Sequence, residues 1–265
     1  MKTKKMKGGW LHLEILKRTS LGLILTLSLS GYAMAANFDI KPIKIFFDDQ
    51  TKIEKLTLKN ISEDNFTVQI KAYKWTQDEK GQDIYQDTKD LIIFPKIATL
   101  KKEEEKIIRI GTNLGSDSLE KTYRVFVEEI PSGEKEDTKA ATLHMYLKIG
   151  IPIFISPVKK DEKGTIEVVK LQKGKAEIKV KNQGNAHFVV TAIQVRGMNP
   201  QGKEIFSGDL GGWYILSGLS KAYEISIPLD VCKNMTRLNF EVKTNSNIIF
   251  KEQFQVEKAM CGKPI

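Results

Sequence analysis

"TLHMYLKIGIPIFISP", residues 142–157, sets Leu143, Met145, Leu147, Ile149, Ile151, Ile153 and Ile155 at every second position. A side-chain period of two marks one face of a single extended strand. At about 3.3 Å per residue the alternating run would reach roughly 40 Å, whereas an average strand has only about 5 to 6 residues. The stretch predicts a β protein with one strand longer than a sandwich of its own requires.

The surrounding sequence agrees with that class. "FDIKPIKIFF" (38–47), "KIEKLTLKN" (52–60), "NFTVQIKAYKW" (65–75), "EKIIRIG" (105–111) and "TYRVFVEEI" (122–130) read as strands, separated by polar turns such as "ISEDN" and "DEKGQD". After Pro157 the composition shifts to "VKKDEKGT", which reads as a hinge. A second set follows: "TIEVVKL", "KAEIKVKN", "HFVVTAIQVRG", "WYILSG", "YEISIPL", "RLNFEVK" and "IIFKEQFQVE". No long helical period and no fixed internal repeat is visible. The pattern predicts two all-β sandwiches, 36–157 and 158–265, each long enough to bury a core.

Residues 1–35 stand apart from both. Lys2, Lys4, Lys5, Lys7, Lys17 and Arg18 precede the apolar run "LGLILTLSLSGYAMA", which ends in small residues at Ala33 and Ala35. This reads as a cleavable secretory signal, with cleavage before Ala36 or Asn37. The apolar run is shorter than the ~20 residues a membrane anchor needs. Removing these residues, with six Lys or Arg and one Glu, lowers the formal charge from +9 to +4. The basicity is then mostly a targeting feature, and nucleic acid as a partner loses its support. Cys232 and Cys261 are the only cysteines. In an exported chain a disulfide is the economical reading, with two free thiols as the alternative.

Signs of catalysis are weak. Beyond the signal there are two histidines, His144 and His187, far apart and without HxxxH or CxxC spacing, which argues against a zinc site. No GxSxG and no Gly-rich phosphate loop occurs, so neither an enzyme nor a cofactor is expected.

"IIFPKIATLKKEEEKIIRIGTN" followed by "TYRVFVEEIP", then the alternating strand ending "IPIFISP", resembles the N-terminal domain of the periplasmic pilus-assembly chaperones of chaperone/usher systems. The motif-rich part covers about residues 92–157. "VKNQGNAHFVVTAIQVRG" and "WYILSG" are more weakly similar to the second domain. The resemblance implies two immunoglobulin-like domains in a boomerang arrangement, pilin subunits and an outer-membrane usher as partners, and capping of the strand by self-association when no client is bound. It also implies what the long strand is for: insertion into an incomplete pilin, filling its open core and pairing with its exposed edge. Leu143, Met145, Leu147 and Ile149 would be donated, with Ala141 a marginal fifth, while Ile151, Ile153 and Ile155 would face the chain's own core. The alternative is that all seven pack within one domain.

Members of the best-known branch hold the pilin's terminal carboxylate with a basic residue on the first strand and a Lys on the donor strand. Lys44 aligns with the first, but Pro152 stands where the second is expected, so the "GIPIF" ending is more similar to the archaic branch. There the resemblance implies Arg124 as the anchor, with Lys44 next and Arg109 third. A surface ion pair between Arg124 and Glu128 is the plain alternative. Tyr123 should face the opposite side, toward the core. A secreted two-domain adhesin or pilus subunit is the remaining alternative function. It should carry a donor peptide at its own start, whereas "ANFDIKPIKIFFDD" commits quickly to a strand.

Overall fold

Among the described residues, eighteen strands carry the architecture. They are β1 (Phe38–Lys41), β2 (Ile45–Phe47), β3 (Ile53–Asn60), β4 (Phe66–Gln77), β5 (Asp83–Asp87), β6 (Leu91–Phe94), β7 (Ile97–Leu100), β8 (Glu105–Thr112), β9 (Lys121–Ile130) and β10 (Lys148–Ile155), then β11 (Gly164–Gln172), β12 (Lys175–Asn182), β13 (Phe188–Met198), β14 (Glu204–Leu210), β15 (Tyr214–Ile215), β16 (Ser220–Ser226), β17 (Arg237–Thr244) and β18 (Ile249–Gln255). The computed structural model describes residues 38–131 and 145–262. The signal segment, Ala141 and Leu143 lie outside the described residues.

In the first sandwich, a sheet ordered β1-β3-β8-β6 faces a second ordered β2-β10-β9-β4-β5, with β7 paired to β4. Alternation explains the core: Leu56, Leu58, Ile108 and Ile110 from one sheet meet Val68, Ile70, Val125, Val127, Ile151 and Ile153 from the other, all buried. In the second sandwich, β11-β12-β16 faces β14-β13-β17-β18, with β15 on β13. Its core includes Ile178, Phe188, Val195, Phe240 and the Cys232–Cys261 disulfide, whose Cα atoms lie 5.6 Å apart. Cys232 sits on a short helix, α1 (Leu229–Lys233). This is the all-β, two-sandwich class expected from the pattern, in the immunoglobulin-like form that the resemblance implies.

Two expectations are corrected. Residues 38–47 form two strands, not one. Pro42 has no N–H for a ladder, and the chain changes sheets there, β1 pairing with β3 and β2 with β10. Of the described part of the long run, the strand takes Lys148–Ile155, its ladder to β9 starting at Lys148↔Glu128, so Met145–Leu147 lie ahead of it; residues 142–144 lie outside the described residues. Just ahead of it the Glu129 N–H donates to the Leu147 carbonyl at 2.9 Å.

A third apolar cluster joins the sandwiches. Trp75 and Phe154 from the first pack with Tyr214 and Leu216 from the second. Buried Gln77 works as an extra rung between them: its Nε2 donates to the Tyr214 carbonyl at 2.9 Å and its Oε1 accepts from the Leu216 N–H at 3.1 Å. His187 stacks on Phe154 with ring centroids 3.7 Å apart, and its Nδ1 is 2.7 Å from Glu120 Oε2. That is a packing role.

Candidate functional site: an open strand edge and a buried arginine

Strand β10 has two different neighbours. It pairs antiparallel with β9 along its whole length, from Lys148↔Glu128 to Ile155↔Lys121. On its other side the parallel β2 covers only Ile153, Phe154 and Ile155. Among the described residues, no strand pairs that side of Lys148–Pro152. Ladder parity says which groups face the opening. Leu147 offers its carbonyl to β9, and Ser156 sends its N–H to Phe47 of β2, so odd residues face β9 and even residues face the β2 side. Lys148 and Gly150 therefore present main-chain groups along the free edge. Pro152 has the same parity but no N–H, so donors end where β2 begins.

The side chains change character along the same strand. Ile151, Ile153 and Ile155 are at most 2% exposed and belong to the first core. Ile149 and Leu147 are partly buried against its margin. Met145 is 70% exposed.

Arg124 lies opposite Pro152 in the β9–β10 ladder and opposite Tyr73 on β4. Its alternate, Tyr123, is buried in the core as expected and donates its hydroxyl to Asp90 at 2.8 Å. The Arg124 guanidinium enters an aromatic box. Its Cζ is 4.0 Å from the Trp75 ring centre, 5.8 Å from Trp213, 5.8 Å from Tyr214 and 6.0 Å from Tyr85. Two walls come from the second sandwich. Arg124 is 7% exposed, and its Nε and Nη2 have no hydrogen-bond partner within the described chain, nor does Trp75 Nε1.

Among the described residues no acid pairs with this cation. Glu128, the alternative partner, is taken by Lys148 at 2.5 Å. Asp83 accepts from Gln77, Tyr85 and Trp213. Burial pushes the Tyr85 phenol up to about 12 against the pull of Arg124, so it stays neutral. Cation–π contacts return roughly 0.5 to 2 kcal/mol, whereas a buried charge without a partner costs several. An incoming anion would remove that deficit, and the planar guanidinium fork suits a carboxylate.

The other two anchor candidates divide. The Lys44 ammonium stands 5.7 Å from the Tyr214 ring, on the same aromatic wall as Arg124. Arg109 lies on β8 of the opposite sheet, exposed, in register with Lys55 and Phe94, and the fold does not bring it to the box. Sequence reading missed Trp75, Tyr85, Trp213, Tyr214 and Gly150. The signals available were the Trp-Tyr pair in "GGWYILSG" and a glycine inside a strand run, which points to a close approach.

Residues 37–160 match the family model described as "Pili and flagellar-assembly chaperone, PapD N-terminal domain". Among solved structures, the chain is similar to one in the CsuC–CsuE chaperone–tip adhesion subunit pre-assembly complex from the archaic chaperone-usher Csu pili of Acinetobacter baumannii. Identity is 21%, the match covers 83% of this chain and 98% of that one, and the TM-score is 0.55. It is also similar to a chain in the Salmonella enterica SafA pilin–SafB chaperone complex, with 13% identity, coverage of 84% and 98%, and a TM-score of 0.51. At these identities the likeness shows the fold. No curated protein matches the chain.

Proposed function

We propose that this chain, whose residues 37–160 match the N-terminal domain of the pili and flagellar-assembly chaperones, binds, folds and caps pilus subunits by lending them a strand. Its domains run 36–157 and 158–265, and residues 1–35 direct export to the periplasm. A pilin lacking one strand docks against the free edge of β10, main chain pairing with main chain. Leu143, Met145, Leu147 and Ile149 supply the apolar side chains that fill its open core. Each large aliphatic side chain newly buried contributes roughly 1.5 to 3 kcal/mol before ordering costs are subtracted. The pilin's terminal carboxylate meets Arg124, assisted by Lys44. The capped subunit is then passed to an outer-membrane usher, and a second copy of the chain covers the strand when no client is present.

The observation that carries this reading is a buried guanidinium whose Nε and Nη2 have no partner among the described residues, at the point where an open strand edge ends. Ladder parity also accounts for Pro152 in place of a cationic residue: the partner's terminus falls where the edge has run out of donors, and the charge comes from β9. Arg124→Ala, co-expressed with a pilin, should keep the fold and reduce pilin recovery at least tenfold, about 1.4 kcal/mol or more. Equal recovery with variant and parent would dismiss Arg124, and Lys44→Ala is then the next test.

A further inference from the structure

Gly150 interrupts the apolar strand at its midpoint, and a glycine there weakens a strand. Its usual reasons are missing. Its φ is not positive, and the ladder to β9 passes through Gly150↔Phe126 without a bulge or shift. What remains is space. A Cβ added at Gly150 would lie 2.9 Å from Arg124 Cδ and 2.9 Å from Phe126 Cε1. The Arg124 side chain crosses β10 directly above the glycine, and the Phe126 ring closes the same gap. Both neighbours are held by other aromatic rings. Arg124 is boxed by Trp75, Tyr85, Trp213 and Tyr214. Phe126 is held edge-on by Tyr85 at 5.1 Å and by Tyr73 at 5.8 Å.

We propose that Gly150 is the positioning residue of the anion site: by leaving out a side chain it lets Arg124 lie flat across β10 and bring its Nε and Nη2 to the end of the free edge. Any larger residue lifts the arginine stem, tilts the guanidinium away from the Trp75 face and takes the fork out of line with a carboxylate arriving along the strand. This inference rests on the carboxylate reading of Arg124 above. Gly150 itself touches no ligand and acts through the arginine.

Acetate alone, titrated into the full chain with its arginine side chains labelled for NMR, tests it without a client. In the parent, the Arg124 Nε–H signal should move and saturate. In Gly150→Ala the acetate response should weaken at least tenfold while the melting temperature stays within about 3 °C. The double variant Gly150→Ala with Phe126→Leu, which restores room, should recover most of the response, as a merely structural role would not allow. An unchanged acetate response in Gly150→Ala would overturn the inference and leave the Arg124 reading intact. Collapse of the fold in Gly150→Ala would assign the glycine to stability and overturn it equally. No movement of the Arg124 signal in the parent would overturn the carboxylate reading, and this inference with it.

Discussion

The two ends of β10 share one alternating pattern and live in different surroundings. From Ile153 to Ile155 the strand is paired on both sides and its isoleucines are sealed in the first core. From Met145 to Gly150 the only neighbouring strand among the described residues is β9, and exposure rises along the face from Ile149 and Leu147, partly buried, to Met145 at 70%. The difference teaches that period two specifies a strand and a face, but not who covers the face. Coverage depends on whether a neighbouring strand arrives, and β2 stops three residues in.

Arginines show the same contrast. Arg196 in the second sandwich is ringed by acceptors: Asp209 takes both terminal nitrogens at 3.0 Å, and the Val195 and Gly208 carbonyls take one more contact each. Arg124 is more deeply buried and has aromatic faces instead. A self-sufficient arginine and an expectant one thus occupy equivalent-looking strand positions.

Carboxylates placed along β10 would break or sharpen the first comparison. Ile153→Asp should have the largest effect, since it drives an unpaired charge into a fully buried site, at a cost of several kcal/mol. Thermal unfolding should show the first sandwich lost, and a near-parental melting temperature would contradict the division of the strand. Next in size is the disulfide of the second sandwich. Its loop spans 29 residues in sequence separation, for which loop-closure entropy gives about 3 to 4 kcal/mol. Cys232→Ser should lower chemical stability by that order, read by denaturant titration with and without reductant, and no difference would mean the bridge adds nothing. Leu147→Asp should fall lower, about 1 to 2 kcal/mol, because its side chain is only partly covered. An effect equal to that of Ile153→Asp would erase the gradient.

Much of this was legible in the residues. Alternation gave the strand class, the inward turn of Tyr123 and the second-sandwich strands from "KAEIKVKN" to "RLNFEVK", while the core half of β10 followed from the resemblance. What alternation could not give was pairing. β1 and β2 were read as one strand because both halves of 38–47 alternate, and only the sheet assignment separates them at Pro42. The strands β6 and β7 alternate but have only four residues each, β5 is almost wholly exposed, and β14 breaks its apolar residues with Ser207, Gly208 and Asp209, so no sustained period marks them. Of the three basic candidates, the fold brings Arg124 and Lys44 to the Tyr214 ring, whereas Arg109 lies on the opposite sheet. The aromatic box needs Trp75 and Tyr214, 139 positions apart, and no local pattern joins residues that meet only when two sandwiches pack.

The most direct test of the account is Met145→Asp, measured for thermal unfolding and for recovery of a co-expressed pilin in the same preparation. Met145 is exposed in the free chain, so the melting temperature should stay within about 2 °C of the parent. Pilin recovery should collapse, because the carboxylate would enter an apolar groove without a partner. Destabilisation comparable to that of Ile153→Asp, or undiminished pilin recovery, would contradict the claim that this end of the strand exists to be lent.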